Sequence, residues 1–341
     1  MNRPAAGRLL KRVAAYLLAA AGLVWVFHDV VWAKLAKSIA GLDWRWVTLA
    51  ILLDSLSYVG QGFRWRLLLK PLGEISALRT TQAVYAGLFV NEVLPFHLGE
   101  IARAFPVSRW MATSVVAVVP SIALERLFDG IWLAASFGIT AIFVPLPRDL
   151  VQAGDVFGLA ILVLSVVIIY IVARRAREPR QKPAGRAPRP WPFRWAAANL
   201  RKIESGLRAI GLSRLSAGAF FLSFLYVFLQ ALSFWLVMKA YGLHLSFWIG
   251  SAVLLIVRFG TVLPGAPGNI GTYQLFCVLG LTLFGVEKTV AAGFSVVVFV
   301  VLSVPLWAFG LIALGRTGMT LASVRSAVKR TRARPEILTG S

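Results

Sequence analysis

The apolar positions of this chain fill unbroken runs of 18 residues or more, separated by short polar stretches. A run of that length crosses a hydrocarbon core of roughly 30 Å as a helix. The first, from about Val13 to Val31, is too long for the core of a signal peptide and has no Ala-x-Ala cleavage site before polar sequence, so it reads as a retained span. Residues 30 to 42 set Trp32, Leu35 and Ile39 on one side of a helix and Lys34 and Lys37 on the other, which predicts an amphipathic segment lying in the interface. Further spans are predicted from about Trp44 to Leu69, across 113 to 144, from Val156 to Ala173, from Leu215 to Tyr241 and from Lys288 to Leu314.

Two apolar stretches are interrupted. Residues 76 to 110 are broken by Asn91-Glu92-Val93-Leu94-Pro95 and by Gly99-Glu100, and residues 247 to 284 by Leu263-Pro264-Gly265-Ala266-Pro267-Gly268-Asn269. Arginine stands at both ends of the first (Arg79, then Arg103 and Arg109), which predicts a re-entrant hairpin entering from the cytoplasm. The ends of the second carry little positive charge, which predicts entry from outside. The alternative is that the prolines only kink two spanning helices, giving eight crossings in place of six plus two hairpins.

Charge sets the orientation. Arg3, Arg8, Lys11 and Arg12 put the N-terminus in the cytoplasm, Arg64, Arg66 and Lys70 bring the second span back there, and residues 145 to 155 read as an outside loop. The first membrane half is thus 1–173, followed by a basic, proline-containing cytoplasmic linker at 174–194, a second half at 195–318 that opens on an amphipathic helix, and a basic cytoplasmic tail at 319–341. The net charge of +22 gathers at the ends of apolar runs and in that linker, a membrane pattern rather than a nucleic-acid one, and 58% hydrophobic with 15% charged residues excludes an ordinary soluble domain. Cys277 is the single cysteine, so no intrachain disulfide is possible. His28, His97 and His244 lie far apart, and no metal-ligand spacing, cofactor motif or Ser/His/Asp or Cys/His cluster appears, so neither cofactor nor enzyme activity is expected.

Laid over each other at an offset of 169, the broken segments match at Leu94-Pro95 with Leu263-Pro264, Gly99 with Gly268 and Ile101 with Ile270; Trp65 falls opposite Trp235 one step off this register. With opposite orientations, the halves form an inverted repeat, an architecture of secondary transporters. The fold expected is therefore all-α and polytopic, with six spanning helices and two re-entrant hairpins. Charges within spans need a partner or a function, and the candidates are Asp54, Glu92, Glu100, Arg103, Glu125, Arg126, Asp129 and Arg258. Glu100 with Arg103, and Arg126 with Asp129, are spaced i,i+3 and can neutralise each other on one helix face. The second arm of each hairpin begins near Gly99 and near Gly268, where free backbone N–H groups would favour an anion beside Arg103 and Arg126. Asn91, Asn269 and Gln274 are polar groups beside the breaks that bond either freed backbone or a headgroup.

The motifs Asn91-Glu92-Val-Leu-Pro95 with Gly99-Glu100 and Arg103, Glu125-Arg126 with Asp129, and Pro264-Gly-Ala-Pro267-Gly268-Asn269-Ile-Gly271 together resemble the lysylphosphatidylglycerol synthase transmembrane (flippase-like) family over roughly residues 10 to 318. The resemblance implies a stand-alone membrane protein similar to the lipid-flipping domain of the multiple peptide resistance factor, with those residues and Gln274 at the substrate. The family usually has glutamate where this chain has Gln274 and arginine near Phe299 and Val300, so charge roles at these positions do not carry over. The tail is too short for an aminoacyl-transferase domain, so lysyl transfer is not expected. The leading expectation is a flippase or lipid-linked transporter for an anionic or polyprenyl/hopanoid-type lipid in the inner membrane. The alternative is a non-transporting lipid-binding scaffold for a lipid or envelope biosynthetic enzyme, suggested by the basic linker.

Overall fold

The computed structural model describes residues 17, 20–28, 32–93, 98–176, 213–262 and 266–318. Pro95, Pro264, most of the basic linker, the amphipathic segment expected at 195–210 and the tail lie outside the described residues. Among the described residues all regular secondary structure is helical. A short helix, α1 (Trp32–Ala40), precedes α2 (Trp44–Leu69), which starts on an Asp43 cap whose side chain accepts from the Arg45 N–H. Then come α3 (Ala77–Val93), α4 (Gly99–Ala102), α5 (Ala104–Trp110), α6 (Val115–Phe143) and α7 (Arg148–Ala176). The second part of the chain supplies α8 (Arg214–Ala240), α9 (Phe247–Val262), a 3-10 turn at Pro267–Asn269, α10 (Thr272–Leu283) and α11 (Lys288–Arg316). Residues 148–155, read above as part of an outside loop, instead form the first two turns of α7.

Among the described residues three segments are long and apolar enough to cross a membrane: Arg148–Val167 within α7, α8 and α11. Helices α2 and α6 are comparable in length, at 26 and 29 residues, but each carries several charged side chains.

Both broken segments fold back on themselves. In the first, Gly87 of α3 lies against the Gly99 carbonyl and the Arg103 side chain, and at the open end the Arg79 guanidinium sits 5.7 Å over the Trp110 ring. In the second, Gly260 of α9 lies against the Phe276 ring and Gly280 of α10 against Val253 and Ile256. The arms are short: 17 residues in α3 and 16 in α9 rise about 25 Å, and the 12 of α10 about 18 Å, all less than a hydrocarbon core.

The hairpins hang from an antiparallel pair, α2 and α8. The Asp43 N–H at the start of α2 donates to the Ala240 carbonyl at the end of α8 (3.1 Å), and Gly218 near the start of α8 faces Leu67 near the end of α2. The first hairpin follows the C-terminal end of α2 and the second the C-terminal end of α8, so they start from opposite ends of this pair. Lipid offers no solvophobic drive for helix association, so close backbone approach and packing hold such bundles together. Gly62 against Thr81 seats α3 on α2, and Gly310 against Phe89 and the Tyr85 carbonyl seats α3 on α11. Phe234, Met238, Cys277, Val278 and Phe294 form the center of a buried apolar cluster around the second hairpin.

Candidate functional site

Three arginines and three carboxylates form one connected network where α2, α4 and α6 meet. Glu125 is fully buried on α6 and receives Arg64 of α2 at its Oε1 (3.1 and 3.2 Å) and Arg103, between α4 and α5, at its Oε2 (2.6 Å). Asp129, one turn on, pairs with Arg64 and with Arg126 (3.1 Å). Glu100 closes the ring to Arg103 (3.1 Å) and Arg126 (3.4 Å). The i,i+3 pairs expected at Glu100–Arg103 and Arg126–Asp129 are present, but the strongest geometry runs between helices. The charges cancel, three against three, which lets so many ionised groups lie together away from water. The Arg64 Nη1 also donates to Ser223 Oγ of α8 (3.0 Å), and the Arg103 guanidinium lies 4.5 Å over the Trp65 ring, whose Nε1–H is held by Ser121 Oγ (2.9 Å).

Arg64 is the residue that the sequence reading misplaces. Grouped with Arg66 and Lys70 as a marker of the cytoplasmic end, it is instead fully buried, whereas Arg66 donates to the Ile75 carbonyl. At 100° per residue, positions 64 and 66 point to opposite sides of α2. The available signal was a polar stripe: Asp54, Ser57, Gln61 and Arg64 recur at helical spacing and are all buried.

The two broken segments touch where Gly268 approaches Glu92. Gly268, in the left-handed region at φ 67°, lies against Glu92 at the end of α3, and Glu92 Oε2 accepts from Trp307 Nε1 of α11 (3.4 Å). Of the second-hairpin residues proposed from sequence, Pro267, Gly268 and Asn269 form the 3-10 turn, and neither they nor Gly271 and Gln274 reach the ion network. The second arm starts at Thr272 rather than near Gly268, because Gly268, Asn269 and Gly271 all hold positive φ and delay the helix.

The expectation of free backbone donors at the two breaks needs correction. The Gly99 N–H donates to Asn91 Oδ1 (2.7 Å), and the Gly271 N–H donates to Gln274 Oε1 (2.7 Å). Both polar side chains cap backbone, so those donors are occupied.

A second cluster involves the other intramembrane charges. Arg258 of α9 hydrogen-bonds Gln230 of α8, and its guanidinium lies 5.9 Å from the Tyr226 ring, which Arg64 approaches at 5.6 Å from its own side. Asp54 is buried on α2.

A UPF0104 membrane protein of Methanocaldococcus jannaschii is 24% identical over 271 residues, covering 76% of this chain and 81% of its own length. A UPF0104 membrane protein of Methanothermobacter thermautotrophicus is 24% identical over 299 residues, covering 82% and 86%. The family described as lysylphosphatidylglycerol synthase TM region matches residues 12–310, nearly the whole of the helical bundle. This membrane protein therefore belongs to the lysylphosphatidylglycerol synthase TM region family.

Proposed function

We propose that this protein is a lipid flippase or lipid-linked transporter, moving an anionic or polyprenyl/hopanoid-type lipid across the inner membrane with both termini in the cytoplasm. The observation that carries the reading is that two helical hairpins start from opposite ends of the α2–α8 pair and meet at Gly268 and Glu92, in a bundle that also holds a charge-balanced ion network centred on the buried Glu125. Arms shorter than the hydrocarbon core favor re-entrant hairpins over spanning helices, giving six crossings in an inverted repeat. Two such hairpins can exchange which side they open while the headgroup stays at the network and the tails stay in the bilayer.

The test is reconstitution into vesicles with inside-to-outside movement of labelled lipids as readout. Movement that is lost in Glu100→Gln and Arg126→Gln variants supports the proposal. No movement of any lipid across a broad panel, with folded protein, removes it and leaves the scaffold reading, for which complex assembly with a biosynthetic enzyme should depend on the basic linker.

A further inference from the structure

The carboxylates inside the bundle are of two kinds. Glu100, Glu125 and Asp129 each lie within 3.1 Å of an arginine nitrogen. Asp54 has no cation at ion-pair distance among the described residues, although it is 5% exposed and sits roughly 15 Å along α2, well inside a spanning length. Its partner is neutral: the Tyr58 hydroxyl, one turn on along the same helix, hydrogen-bonds the carboxyl group. Tyr85 of α3 and Tyr273 of α10 stand around it, and Tyr226 of α8 lies beyond Tyr58; Glu92 of α3 acts on Tyr58 and Tyr273 rather than on Asp54. Tyrosine is uncharged at ordinary pH, so among the described residues Arg258 of α9 is the one charge that acts on Asp54.

Arg258 does not close that pair. It hydrogen-bonds Gln230 and Tyr226 of α8 instead. It is also the single charge of the second hairpin, since residues 247–284 contain no other Asp, Glu, Lys or Arg. The first hairpin is tied to α6 by Arg103 on Glu125 and by Glu100 on Arg126, whereas the second has no ion pair among the described residues.

A carboxyl group at this depth needs either a proton or a cation. Asp54 therefore has two stable arrangements. Protonated, it keeps Tyr58 and leaves Arg258 on α8, which are the contacts present here. Ionised, it draws the guanidinium across from Gln230, and α9 moves with it, because the hairpin carries the charge.

We infer that Asp54 is a proton-binding site, and that gain and loss of its proton decide whether Arg258 bonds α8 or α2, so that a pH gradient drives the second hairpin. The step is an acid–base one: the carboxylate takes a proton from the more acidic side, an O–H bond forms and the attraction for Arg258 is lost. Release of that proton to the other side restores the carboxylate and the pair. The inference supplies an energy source for the transport reading and rests on that reading for its purpose, but proton binding is measured without any lipid.

The full chain in a sugar detergent is titrated from acid to alkaline pH, with the infrared carbonyl stretch of a protonated carboxyl group as readout. The difference between the native and Asp54→Asn spectra should contain one such band that disappears with alkali, and Asp54→Glu should restore it. Arg258→Gln removes the cation that favors the charged form and should tighten proton binding tenfold or more. Tyr58→Phe keeps the carboxyl group and removes its neutral partner, so it should shift the frequency of the same band. A difference spectrum without a titrating band overturns the site, as does a titration that Arg258→Gln leaves unmoved. In vesicles holding fluorescent phosphatidylglycerol, a pH gradient of one sign should speed movement by the native protein, and Asp54→Asn should lose that dependence. Native movement indifferent to the gradient overturns the coupling. No movement at all, with the titration intact, sinks the transport reading and leaves the proton site standing.

Discussion

Replacing Glu125 with glutamine removes one charge from a network that has none to spare. Glu125 is fully buried and is the one carboxylate that receives both Arg64 and Arg103. Glutamine keeps the volume, so the effect is electrostatic: the network changes from neutral to one net positive charge, and one carbonyl oxygen replaces two charged acceptors. Breaking a buried ion pair on one side costs about 3–5 kcal/mol, because the abandoned partner stays buried. At about 2 °C per kcal/mol, the lower figure for chains of a few hundred residues, the thermal midpoint should fall by roughly 6 °C or more. Scanning fluorimetry in detergent reads this, with the exposed Glu74→Gln as control. Adding Arg103→Gln restores neutrality, so the double variant should lose less than the two single losses combined. A Glu125→Gln midpoint within about 2 °C of the native protein would refute the claim that the network is a closed, charge-balanced unit.

Three further outcomes are expected. Gly99→Ala places a methyl group onto the Gly87 carbonyl, a backbone obstacle, and should cost about 1–3 kcal/mol or more, whereas Gly260→Ala meets the Phe276 ring, a side chain that can shift, and should cost less; relative thermal midpoints decide the order. Asn91→Ala leaves the Gly99 N–H without its cap, for a loss of about 1–3 kcal/mol, and Gln274→Ala does the same to the Gly271 N–H, with a similar fall in the midpoint. Cysteines introduced at Arg79 and Trp110 should react with an impermeant maleimide from one side of the membrane and those at Phe247 and Phe284 from the other, Cys277 being buried; labelling of Arg79 and Trp110 from opposite sides would show that the first segment spans.

How much was legible in the sequence varies along the chain. The helix expected from Trp44 to Leu69 has those bounds in the structure, and the one expected from 215 to 241 lies within a residue of them at each end. Such bounds follow from where apolar runs meet polar or cap residues, a local property. Residues 148 to 155 were misread because Arg148, Asp149 and Asp155 suggest a loop, yet a helix leaving the bilayer continues through charged residues with its backbone bonds intact. The candidate charges Glu100, Arg103, Glu125, Arg126 and Asp129 were found because ionised side chains in apolar runs are conspicuous.

The sequence by itself determined that this chain is a helical membrane protein with two interrupted segments and a handful of intramembrane charges, since length, hydropathy and the rarity of charge in apolar runs are all properties of single segments. Only the tertiary structure decided which charges share a network. It moved Arg64 from the membrane boundary to the center and gave Asn91 and Gln274 to the backbone. The physical reason is that an ion pair or a cap is a matter of a few ångströms between helices distant in sequence, set by the rotation of each helix about its axis, and no single segment records its rotation relative to another.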